Sequence, residues 1–239
     1  MRTVPVQVDG FALDGECYLE DGVTYVPLRA LLNAFGDWEL RWDRSIQSAV
    51  GASPDHVLRI SPASGRIETD GRVFYGKAWI QDGTTYVPLR AVTEALGGRA
   101  VWDLYLQGAA VTSPGGAYDA VELYWLSRVI SAESRGEPME GQIAVGNVVR
   151  NRVESREFPD TIPGVIFDRR GAVQFEPVEN RTLFLPPAES SIEAARRVLD
   201  GESAAGDCLY FYAPALSRGV WINAHCSYAL TIGGHRFYR

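Results

Sequence analysis

The stretch DGVTYVPLRALLNAFG, which begins at Asp21, returns as DGTTYVPLRAVTEALGG from Asp82, and this internal repeat limits what the first half of the chain can become. The same offset of 61 relates Asp9-Gly10 to Asp70-Gly71. After a one-residue deletion, Trp42-Asp43 corresponds to Trp102-Asp103, so the copies span residues 9–43 and 70–103. In each copy an Asp-Gly pair suited to a tight hairpin turn lies between short segments rich in tyrosine, tryptophan, valine and isoleucine. Pro27 and Pro88 stand where a strand gives way to a helix, because proline fits a first helical turn but blocks a central ladder. The helices carry Leu28, Leu31, Leu32 and Phe35, or Leu89, Val92 and Leu96, and end at Gly36 and Gly97. Each copy therefore reads as a hairpin plus a helix, with a further strand region from Ser45 to Ile60. The recurring aromatics Tyr25, Trp42, Tyr86 and Trp102 read as core.

The repeat pattern stops near Val111, and Thr-Ser-Pro-Gly-Gly from Thr112 has the composition of a linker. This gives two domains, 1–113 and 117–239, in a 239-residue chain of ordinary globular composition. The net charge of −7 is shared, with ten basic and fourteen acidic residues up to Ser113 and thirteen and sixteen beyond it. Neither half has the basic excess of a nucleic-acid binder. No apolar run reaches the roughly 18 residues of a membrane span. The opening MRTVPVQVDG lacks the regions of a signal peptide, so an exported protein would already have lost its signal. Of three cysteines, Cys208 and Cys226 fall in one half and could pair, which leaves Cys17 as a small core residue.

In the second half, helical spacing from Asp119 puts Leu123, Leu126 and Ile130 on one face, and the next position on that face is Glu133. A carboxyl that ends an apolar stripe is disfavoured in its ionised form, and could hold a proton near neutral pH for donation to a substrate oxygen. The alternative reading is a solvated residue in a last turn, because Gly136 and Pro138 end the helix near Ser134 or Arg135, or an ion pair with Arg128 or Arg135. A second helix opens at Pro138 and runs to about Glu154, with Gly146 permitting close helix approach. Ser190 and Glu193 read as a capping box for a third helix that ends at Gly201. Beyond Gly206, the segments 209–212, 219–222 and 236–238 read as strands. Helices followed by a small sheet make the fold class α+β.

Two resemblances follow. The twice-present YVPLRA motif, in a frame of hairpin and helix, resembles the copper amine oxidase N-terminal-like domain, here a smaller α/β accessory module that either holds the protein at the cell envelope or acts as a spacer. No carboxylate and histidine cluster with metal-ligand spacing accompanies it. The stretch SAESRGEPMEGQIAVGNVVRNR from Ser131 is similar to the spore cortex-lytic enzyme (SleB/CwlJ) family of cell wall hydrolases. Phe158-Pro159, Gln174-Phe175, Phe211-Tyr212, Trp221 and the closing IGGHRF continue that likeness in order over residues 120–239. It implies a fold like goose-type lysozyme and lytic transglycosylases, with Glu133, in Ala-Glu-x-x-Gly-Glu, as the catalytic acid. Members of that family that act in germination commonly carry an amino-terminal peptidoglycan-binding domain, whereas this chain carries the repeat. Both cortex-specific and general peptidoglycan cleavage therefore stay open.

Hydrolysis of a glycosidic bond by either usual route needs two carboxyls. Glu137 and Glu140 are candidates only for supporting roles behind Glu133, since both also suit a helix N-terminus. A lytic transglycosylase needs one glutamic acid and no attacking water, and the family resemblance points the same way. The rivals are a hydrolytic muramidase and a wall-binding protein without activity. By their place in the family pattern, Gln174, Phe175, Tyr212, Trp221 and His235 are candidates to bind glycan, with packing the competing role for Phe175 and Trp221. The Tyr212 hydroxyl could reach Glu133 or an N-acetyl group. Cys208, His225, Cys226 and His235 offer zinc-type atoms without zinc spacing, so no metal and no cofactor are expected. The implied partner is a peptidoglycan glycan strand outside the cell, in wall or spore envelope, and no regulatory protein is specified.

Overall fold

In the computed structural model, which describes residues 1–170 and 174–239, the chain divides into two compact units, Met1–Ala120 and Val121–Arg239. The first unit is as large as the second, not smaller, and its regular structure is mainly strand, with two seven-residue helices, α1 (Leu28–Ala34) and α2 (Leu89–Ala95).

Its hairpins follow from the Asp-Gly pairs. Asp21 and Gly22 have φ of 49° and 78°, and Asp82 and Gly83 have 49° and 78°. Two successive left-handed residues form the turn whose twist suits flanking strands, and aspartate tolerates that region better than most side chains. The strands after these turns, Val23–Pro27 and Thr84–Pro88, pair antiparallel with one another, Val26 opposite Val87. They are the middle of a five-stranded sheet completed by Arg2–Thr3, Tyr18–Glu20 and Trp79–Gln81. Alternation along them sends Val26 and Val87 into the core with Leu28, Leu31, Leu32, Leu89 and Val92. The opposite face gathers Tyr18, Tyr25, Trp79 and Tyr86. Of the recurring aromatics, Tyr25 and Tyr86 are buried, whereas Trp42 is 39% exposed and Trp102 half-buried. The core reading fails for the tryptophans because each lies on an outer strand, Glu39–Asp43 or Arg99–Asp103, where one face meets solvent. The region between the copies holds three strands, Ser48–Ala52, Val57–Ser61 and Arg66–Thr69, which form an antiparallel meander with Glu39–Asp43 of the first copy and Arg72–Tyr75 of the second.

The second unit has helices α3 (Ala120–Ser134), α4 (Met139–Glu154), α5 (Ile162–Ile166), α6 (Glu176–Glu179), α7 (Glu189–Leu199) and α8 (Val220–His225). Its small sheet runs Tyr210–Tyr212, His235–Tyr238, Tyr228–Ile232. It is α+β. Helix α3 is more than a one-faced helix: every residue from Leu123 to Ser131 is buried, and Trp125 meets Phe167 and Phe184 edge-on. Gly146 on α4 brings the helices together. A Cβ there would lie 2.8 Å from Ile130 Cδ1 on α3 and 2.9 Å from Val198 Cγ2 on α7.

Three local expectations are corrected. Ser190 does not cap α7, which starts a residue earlier with no side-chain cap; its hydroxyl instead meets the Gln142 amide, as does that of Ser191. Tertiary hydrogen bonding has outweighed the local motif. The segment 219–222 is helical, starting after Gly219 at φ 55°, and the strand that sequence patterning missed is Tyr228–Ile232. Cys208 and Cys226 are free thiols, the former buried.

Candidate active site

The last turns of α3 and α4 contribute to a cleft of about 490 Å³ in the second unit, lined by Glu133, Arg152, Gln174, Glu176, Tyr212 and His235 among others. Glu133 occupies the last turn of α3, where burial gives way to half-exposure. Its carboxyl is raised from 4.5 to about 7, chiefly by desolvation, then by repulsion from Glu176, with Arg152 pulling the other way. At neutral pH a large share of this group therefore carries a proton.

Of the three arginines that line the cleft, Arg128, Arg135 and Arg152, the last is the one whose charge lowers the Glu133 pKa. It is buried in the last turn of α4, its Nε donates to the Leu209 carbonyl at 2.7 Å, and its guanidinium lies over the rings of Phe158, Phe175 and Tyr210. Burial lowers its pKa to about 10, so it keeps its charge at neutral pH. The same helix carries Asn147 and Asn151, whose amides bind the backbone at Glu202, Gly206 and Cys208. The polar run GNVVRNR thus straps the loop before the sheet onto α4.

The other expected residues divide. Gln174, Tyr212 and His235 line the cleft with Glu133. Phe175 does not; it is 2% exposed and packs under Phe211 and Arg152. Trp221 is 55% exposed on α8, stacked on His225 and away from the cleft lining. The Tyr212 hydroxyl is engaged by Asn223, whose Nδ2 donates to it at 3.0 Å, rather than by Glu133. Glu137 lies beside the cleft and accepts a hydrogen bond from the Gly234 amide at 2.8 Å. Glu140 is exposed in the first turn of α4 and does not line the cleft. Among the described residues, no group of three or more histidine, cysteine, aspartate or glutamate side chains is placed to hold a metal ion.

Glu176 was not among the residues singled out from sequence. It directly follows Gln174-Phe175 and opens the four-residue α6, where an acid before a proline reads as a helix-dipole partner. Arg152 gave no sequence signal beyond an arginine at a helix end.

Comparison with known proteins gives the family of each unit. The family model described as Cell Wall Hydrolase matches residues 136–238, and that described as Copper amine oxidase N-terminal domain matches residues 7–107. The cell wall hydrolase CwlJ of Oceanobacillus iheyensis is 31% identical over 129 residues, covering 48% of this chain and 90% of that protein. The chain belongs to the cell wall hydrolase family. Spore cortex-lytic enzymes of Oceanobacillus iheyensis and Bacillus cereus are 35% and 34% identical to this chain over 113 and 126 residues. It spans 40% and 47% of their lengths, which is less than half of each. The solved catalytic domain of the germination-specific lytic transglycosylase SleB from Bacillus anthracis is 33% identical, with a TM-score of 0.47 over 52% of this chain and 98% of that one. The family match opens at Gly136, just past Glu133, so the case for Glu133 rests on the cleft itself.

Proposed function

We propose that this protein is a peptidoglycan-lytic enzyme that cleaves the bond between N-acetylmuramic acid and N-acetylglucosamine, as a lytic transglycosylase with a lysozyme-like catalytic domain. The observation that carries the reading is the half-buried Glu133 in a cleft, with its carboxyl raised to about 7. In the first step the protonated Glu133 gives its proton to the bridging oxygen as the bond to muramoyl C1 breaks. The Glu133 carboxylate then takes the proton of the muramoyl C6 hydroxyl, whose oxygen closes on C1 to form a 1,6-anhydro ring. No water is consumed, and the nucleophile is already tethered to the reacting carbon. Gln174 and His235 supply polar contacts to the strand, and the likeness to spore cortex-lytic enzymes supports cortex as the substrate during germination. The first unit serves as an accessory module that either holds the protein at the wall or acts as a spacer.

Glu176 favours a second reading. A second carboxyl in the same cleft is what a hydrolytic muramidase uses to activate water. Mass spectrometry of digested cortex and vegetative sacculi distinguishes the two: transglycosylase products lie one water below hydrolysis products and resist borohydride reduction. Glu133→Gln should abolish either product, and retained cleavage by that variant would overturn both readings.

A further inference from the structure

His235 is 6% exposed, and its buried Nδ1 has no hydrogen-bond partner, an arrangement that native structures rarely leave unexplained. The nearest carboxylate oxygen is Glu137 Oε1, at 3.6 Å. The other oxygen of that carboxylate accepts from the Gly234 amide at 2.8 Å, and a Cβ at Gly233 would lie 1.9 Å from it. Glycine is required here because the turn between Tyr228–Ile232 and His235–Tyr238 closes directly onto the acid.

The backbone of Glu137 is fixed in turn. Its amide donates to the Ser134 carbonyl at 2.9 Å, and its carbonyl accepts from Gln142 Nε2 at 3.0 Å. One carboxylate thus ties the end of the helix that carries Glu133 to the strand that carries His235. The rings of Phe211 and Phe237, with centroids 5.5 and 6.4 Å from that of His235, confine the imidazole.

We propose that Glu137 is a positioning residue that holds the His235 proton on Nδ1, so that Nε2 faces the cleft as a hydrogen-bond acceptor for an N–H or O–H group of the bound glycan. The inference rests on the glycan-cleaving reading for its ligand but not for its geometry. A neutral imidazole has one donor and one acceptor nitrogen, and the group bound to one nitrogen decides the role of the other. Burial keeps the ring neutral by lowering its pKa, with Glu137 opposing in part. The charged and titratable groups that share its cleft are Glu133, Glu176, Tyr212 and the arginines Arg128, Arg135 and Arg152. Hydrogen bonds in ligand-free sites are often long and tighten with substrate, which is the expected course for the 3.6 Å separation.

Glu137→Gln is nearly isosteric and tests the assignment. Its carbonyl oxygen can still accept from Gly234, while its amide nitrogen offers a donor to Nδ1 and moves the proton to Nε2. Nitrogen-15 spectra of the full chain should show Nδ1 protonated in the native protein and Nε2 protonated in Glu137→Gln. With soluble glycan strands as substrate, KM should rise roughly tenfold, the loss of about one hydrogen bond, with kcat less affected. Glu137→Asp, which keeps the negative charge, should retain the native tautomer. A proton on Nε2 in the native protein, or an unchanged tautomer and KM in Glu137→Gln, would overturn the proposal. Loss of the glycan-cleaving reading would show separately, as no cleavage of glycan strands by the native protein, while the Nδ1 tautomer would still be read from the spectra.

Discussion

The first unit holds the larger cavity, about 700 Å³ against about 490 Å³, and the two are built from different materials. In the larger one the charged lining residues Asp14, Glu16, Arg29 and Arg41 are all exposed to water. The smaller one surrounds a half-buried carboxyl and a buried guanidinium. Charge that has been taken out of water is expensive, and proteins keep it where chemistry needs a shifted proton. Volume alone would select the first unit. What marks the second cleft is the desolvation of Glu133 next to Glu176 and Arg152.

The contrast breaks most visibly if Glu133 is dispensable. General acid catalysis is worth about 10²–10⁴ in rate, so Glu133→Gln should lower peptidoglycan cleavage by at least that range in a turbidity assay. Trp42→Ala, in the other cavity, should leave cleavage of soluble glycan strands unchanged, and a comparable loss there would make the two cavities equivalent.

A smaller effect concerns stability. Between its ordinary value of 4.5 and the native value of about 7, Glu133 holds a proton in the folded state that the unfolded chain has released. Stability therefore falls as pH rises through that window, and the full loss is present above about 7. Glutamine carries no charge to bury. Glu133→Gln should be more stable than the native protein at pH 8, by on the order of 3 kcal/mol in denaturant melts, with little difference at pH 4. Equal stability of the two proteins at pH 8 would mean that Glu133 is solvated like an ordinary carboxylate.

Smaller still is the contribution of Glu176. Because its charge raises the Glu133 pKa, Glu176→Gln should move the alkaline limb of the pH profile of kcat/KM to lower pH, by less than about one unit. The native limb itself should fall near pH 7, where Glu133 loses its proton. If Glu176→Gln instead abolished cleavage at every pH, the muramidase reading would gain, with Glu176 as the base for water.

Features set by local chemistry were legible in the sequence. The Asp-Gly turns, the prolines before α1 and α2, and the end of α3 at Ser134 follow from backbone preferences that neighbouring residues decide. Features set by distant partners were not. Ser190 and Glu193 have the spacing of a cap, yet Gln142, 48 residues away, takes the Ser190 hydroxyl. Segment 219–222 has the composition of a strand but forms α8 after a left-handed Gly219. In the site, Gln174 and Phe175 are adjacent in sequence, but only Gln174 faces the cleft, because Phe175 fills the space beneath Arg152. Glu176 escaped notice because an acid at a helix start has an ordinary explanation, and only the fold shows which carboxyl it repels.

The antiparallel pairing of Val26 with Val87 has a consequence for how the first unit assembles. Each copy of the motif completes the other's sheet, so neither can satisfy its own edge. A chain cut down to one copy would leave a row of free amides and carbonyls beside an apolar strand, and would find its missing neighbour in another molecule. The duplication thus places inside one polypeptide a junction that would otherwise be made between two.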